Sequence, residues 1–179
     1  MRAVFLDRDG LLNQAVVHDG KPFAPSRLEE FKVYPETAGA LQQLKGAGFL
    51  LIVVTNQPEV ARGEVARETV EAINARLRAE LPMLDDVFVC WHDDPDNCRC
   101  RKPKPGLLLD AAARHGIDLA ASFLAGDRWR DIDAGANAGV RTVLVDRNWT
   151  ERPPDHAPDF RVAGIGEAVD AILAAARVP

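Results

Sequence analysis

Two aspartates, Asp7 and Asp9, flank a single arginine and precede a glycine at the end of the first apolar run, Ala3-Val4-Phe5-Leu6-Asp7-Arg8-Asp9-Gly10. Neighbouring carboxylates repel each other unless a proton or a cation intervenes. A hard divalent ion such as magnesium, which takes oxygen ligands, is the simplest remedy. Read alone, Asp-x-Asp-Gly also suits a turn. A second concentration of chemistry lies in Cys90-Trp91-His92 and Cys98-Arg99-Cys100. Three thiolates and one imidazole form a Cys3His set, the kind that closes a tetrahedral structural zinc and leaves no open position for catalysis. The spacing lets two short hairpins converge on one ion, a clasp worth on the order of 10 kcal/mol to the order of its loop. The chain has 3 cysteines. An odd number clustered in one loop argues against a disulfide framework and for a reducing compartment.

Positioning these groups requires elements that bring distant segments together. Apolar runs predict strands over 3–6, 49–54, 87–89, 123–125 and 142–145, with 160–162 as an edge strand. Helical spacing predicts helices over 36–46, 65–80, 105–115, 132–138 and 167–176, with Pro35 suited to a start and Gly116 to an end. Residues 11–35 read as irregular and 153–158 as a surface loop. Strand–helix alternation implies an α/β fold, a doubly wound parallel sheet with helices on both faces. One domain over 1–179 is expected, with the zinc loop 90–100 inserted after the third strand. Asp7, Thr55, Cys90 and Asp127 each stand at the carboxyl end of a predicted strand, and such a sheet gathers those ends at one rim.

Composition narrows the class. Apolar residues make up 47% and charged residues 27%, ordinary for a soluble globular protein. A net charge of −5 disfavours a general nucleic-acid binder, so any anion site must be built locally. The longest apolar stretch, 49–54, is too short to span a bilayer. The first residues form a strand rather than a secretory signal, so a cytoplasmic monomer that meets neither membrane nor nucleic acid is expected.

In order along the chain, Asp7-Arg8-Asp9-Gly10, Thr55, Lys102 and Gly126-Asp127-Arg128 with Asp131 resemble the phosphatases of the haloacid dehalogenase (HAD) superfamily. The resemblance covers essentially the whole chain and implies a Rossmann-like, HAD-type fold. It implies Asp7 as nucleophile, Asp9 as general acid and base, and Thr55 and Lys102 as the groups that meet the phosphoryl oxygens. Magnesium would be held by the Asp7 carboxylate, the Asp9 backbone carbonyl and the Asp127 carboxylate. Lys104 rivals Lys102 as the phosphate lysine; the Arg-Lys-Pro-x-Pro-Gly pattern favours Lys102. Asp131 reads equally as a helix-start charge.

The intervals between motifs leave no room for a cap domain, so loops 11–30, 57–63 and 91–102 must shape the mouth. Asn13, Thr55-Asn56-Gln57, Ala61-Arg62-Gly63, Cys90, His92, Cys98, Cys100 and Arg101-Lys102-Pro103 resemble a capless, zinc-looped branch of the superfamily that acts on phosphorylated sugars and amino alcohols. That resemblance implies Arg8, Asn56, Gln57, Arg62 and Arg101 as substrate contacts. A sugar bisphosphate is the expected substrate, its unreacting phosphate on Arg62 and Arg101. A phosphorylated amino alcohol, or a zinc-stabilised binding module without activity, are the alternatives. The chain departs from the branch in a short zinc loop, Leu11 in place of Thr, and Pro58-Glu59 in place of Ser-Gly. Trp129 and Trp149 read as packing residues.

Overall fold

The computed structural model describes residues 1–177. In chain order the elements are β1 (Ala3–Leu6), β2 (Val16–His18), β3 (Lys21–Phe23), α1 (Thr37–Gly46), β4 (Leu50–Asn56), α2 (Pro58–Ala61) and α3 (Arg67–Glu80). There follow β5 (Asp86–Cys90), α4 (Gly106–His115), β6 (Phe123–Gly126), α5 (Trp129–Ala138), β7 (Arg141–Val145), β8 (Phe160–Val162) and α6 (Ile165–Ala175). Six strands form one sheet in the order β5-β4-β1-β6-β7-β8, and every neighbouring pair is parallel.

The apolar runs become central strands because both of their faces are covered. Val4 and Leu6 of β1, with Leu51 and Val53 of β4, face the side packed by α1, α3 and α6. Ala3 and Phe5, with Ile52 and Val54, face the side packed by α4 and α5. Successive side chains alternate between the two cores, the two-residue period of a strand. The chain runs outward from β1 through β4 to β5, then returns to β6 on the other flank of β1. The carboxyl end of β1 is therefore the switch point of the sheet, where a crevice opens. Register places Leu6 beside Val53 on one flank and Ala125 on the other.

The structure departs from the sequence reading in three places. Residues 16–23 are not irregular: β2 and β3 pair antiparallel through Asp19 and Gly20, whose φ values of 51° and 72° suit a two-residue hairpin turn. Residues 58–61 form the short helix α2 within a segment expected to be loop. Helix α5 starts at Trp129, a turn before the expected 132. That extra turn is closed at its start by Asp131, which accepts the Arg128 N–H at 3.1 Å. Among the described residues no folded unit larger than the β2–β3 hairpin lies between β1 and α1. No described helix is long and apolar enough to cross a membrane.

Candidate active site

Asp7 follows β1, Thr55 lies one residue inside the end of β4, and Asp127 follows β6. Lys102 comes from the segment between β5 and α4 and is buried among them. Its Nζ donates to Asp7 Oδ1 at 2.6 Å, to Asp131 Oδ1 at 2.6 Å and to the Val54 carbonyl at 2.8 Å. Asp131 thus serves both readings, as a helix-start acceptor and as a partner of Lys102. Lys104 turns away, donating to Asn97 Oδ1 and the Cys98 carbonyl.

Two glycines let the carboxylates approach. A Cβ on Gly10, whose φ is +96°, would lie 2.0 Å from Asp127 Oδ2. A Cβ on Gly126 would lie 2.3 Å from Asp131 Cγ. Trp149 Nε1 donates to Asp127 Oδ2 at 2.6 Å, while Asp127 Oδ1 is buried with no donor. Trp149 therefore does more than pack; nothing in its sequence neighbourhood signals this contact.

The charges in this group do not balance. Asp7, Asp127 and Asp131 are buried and bring carboxylate oxygens within 4.8 Å of one another, with the Lys102 ammonium among them. Burial, then the Asp131 charge, pushes the Asp7 carboxyl up to about 6 against the pull of Lys102. Burial and the charges of Asp7 and Asp131 raise Asp127 well above the usual carboxylate range. Burial disfavours the Lys102 charge, yet Asp131 and Asp7 outweigh it and hold the ammonium above its ordinary value. The residues fit an oxygen-seeking divalent cation: raised carboxyls signal missing positive charge, and Asp127 Oδ1 is an orphan acceptor. Asp131 has both oxygens engaged by Lys102 and Arg128, leaving Asp7 and Asp127 as the available carboxylates.

Asp9 lines the same cleft, its carboxylate fixed from behind. Asn13 Nδ2 donates to its Oδ1 at 3.0 Å, Gln57 Nε2 to its Oδ2 at 2.9 Å, and the Arg8 guanidinium to both oxygens. Arg8 and Gln57, expected to touch substrate, are instead buried beneath the floor of the cleft. Arg8 reaches inward to Asn74 Oδ1 at 2.7 Å, and Gln57 also donates to Thr55 Oγ1 at 2.9 Å. Both brace catalytic candidates rather than a ligand. Asn56 lines the cleft, but its amide closes a two-way contact with the Lys102 backbone, donating at 3.1 Å and accepting at 3.1 Å.

The cleft encloses about 270 Å³. Each of the three expected loops contributes to it: Lys21 to Ala24 from the hairpin and its exit, Pro58 and Glu59 of α2 with Arg62 just after it, and Asp94 and Arg101 from the cysteine loop. Sequence reasoning missed a fourth wall made by Arg128, Arg130 and Glu151. Arg128 and Arg130 lie two and four residues past the end of β6, a position that could have flagged them. Arg128 pairs with Glu151. Arg62 binds Asp93 at 2.6 and 2.9 Å, and Arg101 binds Asp94 at 2.7 Å.

The thiol cluster lies at the end of β5. Cys90, Cys98 and Cys100 place their sulfurs 3.1, 3.5 and 3.7 Å apart. His92 Nδ1 stands 3.4 Å from Cys100 Sγ and 3.8 Å from Cys90 Sγ. A tetrahedral ion with metal–sulfur bonds of about 2.3 Å spaces its sulfurs roughly 3.8 Å apart, so the four groups fit such an ion after slight adjustment. Their mount is not a pair of hairpins. The loop between them is a single 3-10 turn, Asp94–Asp96, closed by a capping box between Asp93 and Asp96 and ended by Asn97 in left-handed conformation. Burial raises the Cys90 thiol; Cys98, despite burial, is drawn down to about 7 by the Arg101 N–H and its neighbours.

Comparison with known proteins agrees with this geometry. Residues 99–170 match a family model described as HAD-hydrolase-like. The D-glycero-beta-D-manno-heptose-1,7-bisphosphate 7-phosphatase of Bordetella bronchiseptica is 36% identical over 149 residues, covering 81% of this chain and 80% of that protein. The enzyme of the same name from Escherichia coli K12 is 32% identical over 185 residues, covering 95% and 93%. The crystal structure of the B. bronchiseptica D,D-heptose 1,7-bisphosphate phosphatase complexed with magnesium and phosphate superposes with a TM-score of 0.83 at 30% identity, covering 98% of this chain and 99% of that one.

Proposed function

From the premise that this chain belongs to the HAD-like phosphatases, in the family of the D-glycero-beta-D-manno-heptose-1,7-bisphosphate 7-phosphatases, we propose that it removes the 7-phosphate of that heptose bisphosphate in lipopolysaccharide precursor synthesis. The observation that carries the reading is the convergence of Asp7, Asp9, Thr55, Lys102 and Asp127 on one cleft at the switch point of the sheet.

Asp7 is the nucleophile. Lys102 holds its Oδ1, and no described residue donates to its Oδ2, which is left to attack phosphorus. The new oxygen–phosphorus bond forms as the ester bond to the sugar C7 oxygen breaks, leaving an aspartyl-phosphate and an alkoxide. Asp9 gives that alkoxide a proton, then takes one from the water that hydrolyses the aspartyl-phosphate. Arg8, Asn13 and Gln57 donate to the Asp9 carboxyl and fix its position at the cleft. The Thr55 hydroxyl, whose oxygen already accepts from Gln57, has its proton free for a phosphoryl oxygen, and the Lys102 ammonium offsets the charge on another. The Asp7 and Asp127 carboxylates and the Asp9 backbone carbonyl would hold magnesium, which would supply the positive charge that lets two anions meet. Cys90, His92, Cys98 and Cys100 would hold a zinc ion, which would fix the loop that presents Arg101 and Lys102. Arg101, Arg62 and Arg130 form the cationic wall suited to the phosphate that stays on the sugar.

A substrate panel tests the reading. The heptose bisphosphate should be hydrolysed with release of one phosphate equivalent and accumulation of the 1-phosphate. Faster turnover of histidinol phosphate would move the chain to the amino-alcohol alternative.

A further inference from the structure

Each of the two carboxylates available to magnesium has one oxygen already taken. Lys102 Nζ donates to Asp7 Oδ1 at 2.6 Å, and Trp149 Nε1 donates to Asp127 Oδ2 at 2.6 Å. The lysine contact belongs to the chemistry already assigned; the indole contact does not. An indole N–H can only donate, so Trp149 neither coordinates a cation nor accepts a proton in the reaction. Oδ2 is enclosed on a second side as well. A Cβ on Gly10 would lie 2.0 Å from it, so the Gly10 backbone runs against that oxygen. Asp127 Oδ1 is buried and has no donor among the described residues. The carboxylate is thus sorted into an oxygen held by the protein and an oxygen left for a ligand. Trp149 is fastened from both sides: Arg147 Nε donates to the Gly10 carbonyl at 3.2 Å, the Thr150 N–H to the Gly20 carbonyl at 2.9 Å, and Glu151 pairs with Arg128.

Coordination chemistry gives that sorting a consequence. Magnesium demands a near-regular octahedron with oxygens at about 2.1 Å. The two oxygens of one carboxylate, about 2.2 Å apart, subtend roughly 60° at that distance, well short of the octahedral right angle, so magnesium takes one of them. Calcium takes more ligands at longer distances in flexible geometry, and often draws both oxygens of one carboxylate. A donor on the second oxygen of a coordinating carboxylate orients it, and its loss typically costs about 10- to 100-fold in metal affinity. We propose that Trp149 is a positioning residue that confines Asp127 to one coordinating oxygen and thereby favours magnesium over calcium at the catalytic centre. The role rests on the magnesium reading above and not on the identity of the sugar.

The test titrates the zinc-loaded protein, freed of other divalent ions, with magnesium and with calcium by calorimetry. Wild type, Trp149→Phe and Trp149→His are compared: phenylalanine keeps an aromatic ring without the donor, and histidine returns an N–H. The ratio of the calcium Kd to the magnesium Kd should fall by about tenfold in Trp149→Phe and recover most of that in Trp149→His. A ratio unchanged in Trp149→Phe, including equal weakening of both ions, overturns the proposal. A ratio that Trp149→His leaves collapsed also overturns it, because ring shape rather than the N–H would then carry the effect. The wild type supplies a measurement that needs no Trp149 variant to fold. The chain has three tryptophans, and the Trp149 indole resonance is assigned by elimination with Trp91→Phe and Trp129→Phe. Saturating magnesium should leave its Nε1–H slow to exchange with water; loss of that protection overturns the proposal. A wild type that binds neither ion overturns the magnesium reading together with the role of Trp149. Failure on heptose bisphosphate overturns only the substrate assignment, because the ratio of ion affinities still reports on Trp149.

Discussion

The acidic group at the strand ends and the thiol group at the end of β5 are both polar clusters that call for a cation, yet they are assembled in opposite ways. Asp7, Thr55 and Asp127 stand on neighbouring strands whose register is fixed by two buried cores. Their spacing follows from the sheet, and Lys102 already ties Asp7 to Asp131. Cys98 and Cys100 stand on a half-exposed loop whose supports are short polar contacts, such as the Asp93–Asp96 capping box and Lys104 on the Cys98 carbonyl. One cluster is set by the register of the sheet; the other is set by a short polar loop at the end of a strand. They meet at Lys102, two residues beyond Cys100.

Asp7→Asn should separate them most sharply. Removing the proposed nucleophile should lower kcat on any phosphate ester by about a thousandfold or more. Zinc stoichiometry and melting temperature should stay close to wild type; a parallel loss of zinc would show that the clusters are not independent. Cys100→Ser attacks the other side. Losing one of the four ligands should lower the melting temperature, by about 2 to 4 °C for each kcal/mol of stabilisation lost in a chain of this length. Activity should fall at saturating magnesium, since Arg101 and Lys102 lose their mount.

Gln57→Ala probes the bracing of the fold-made site. Without the donor to Asp9 and Thr55, kcat should fall by about tenfold with little change in KM, the pattern of an interaction realised in the transition state. A large rise in KM instead would return Gln57 to the substrate-binding role. The smallest effect is expected at Asp133, away from both clusters. Burial opposes its ionisation, but the His156 and Asp155 N–H groups and the His156 ring outweigh it and hold the carboxyl below its ordinary value. A depressed folded value means that its stabilisation is present above the unfolded value near 3.9 and is lost as pH falls below it. Acid melts of Asp133→Asn should therefore lack that part of the decline below about pH 4.

The legible parts were those governed by burial on both faces. Runs such as Val4-Phe5-Leu6 and Leu51-Ile52-Val53-Val54 have few other places to go, and their ends disclose the polar groups that follow. Asp19-Gly20 carried a hairpin signal that was overshadowed by exposed, weakly patterned flanks: β2 and β3 have three residues each. Arg8 and Gln57 show where residue type misleads. A cation and an amide beside a catalytic motif read as ligand contacts, but whether they point into the cleft or beneath it depends on partners far along the chain, such as Asn74. The Trp149–Asp127 contact joins a loop to a strand end 22 residues away, with no local periodicity to reveal it.

That contact has an optical consequence. The Trp149 indole N–H and any cation seated against Asp127 draw on the same carboxylate, while the next residue, Thr150, donates its N–H to the Gly20 carbonyl at the hairpin tip. Loading the site thus perturbs a fluorophore whose neighbour is fastened to the rim. Emission from Trp149, isolated by replacing Trp91 and Trp129 with phenylalanine, would follow magnesium titration directly, without a turnover assay.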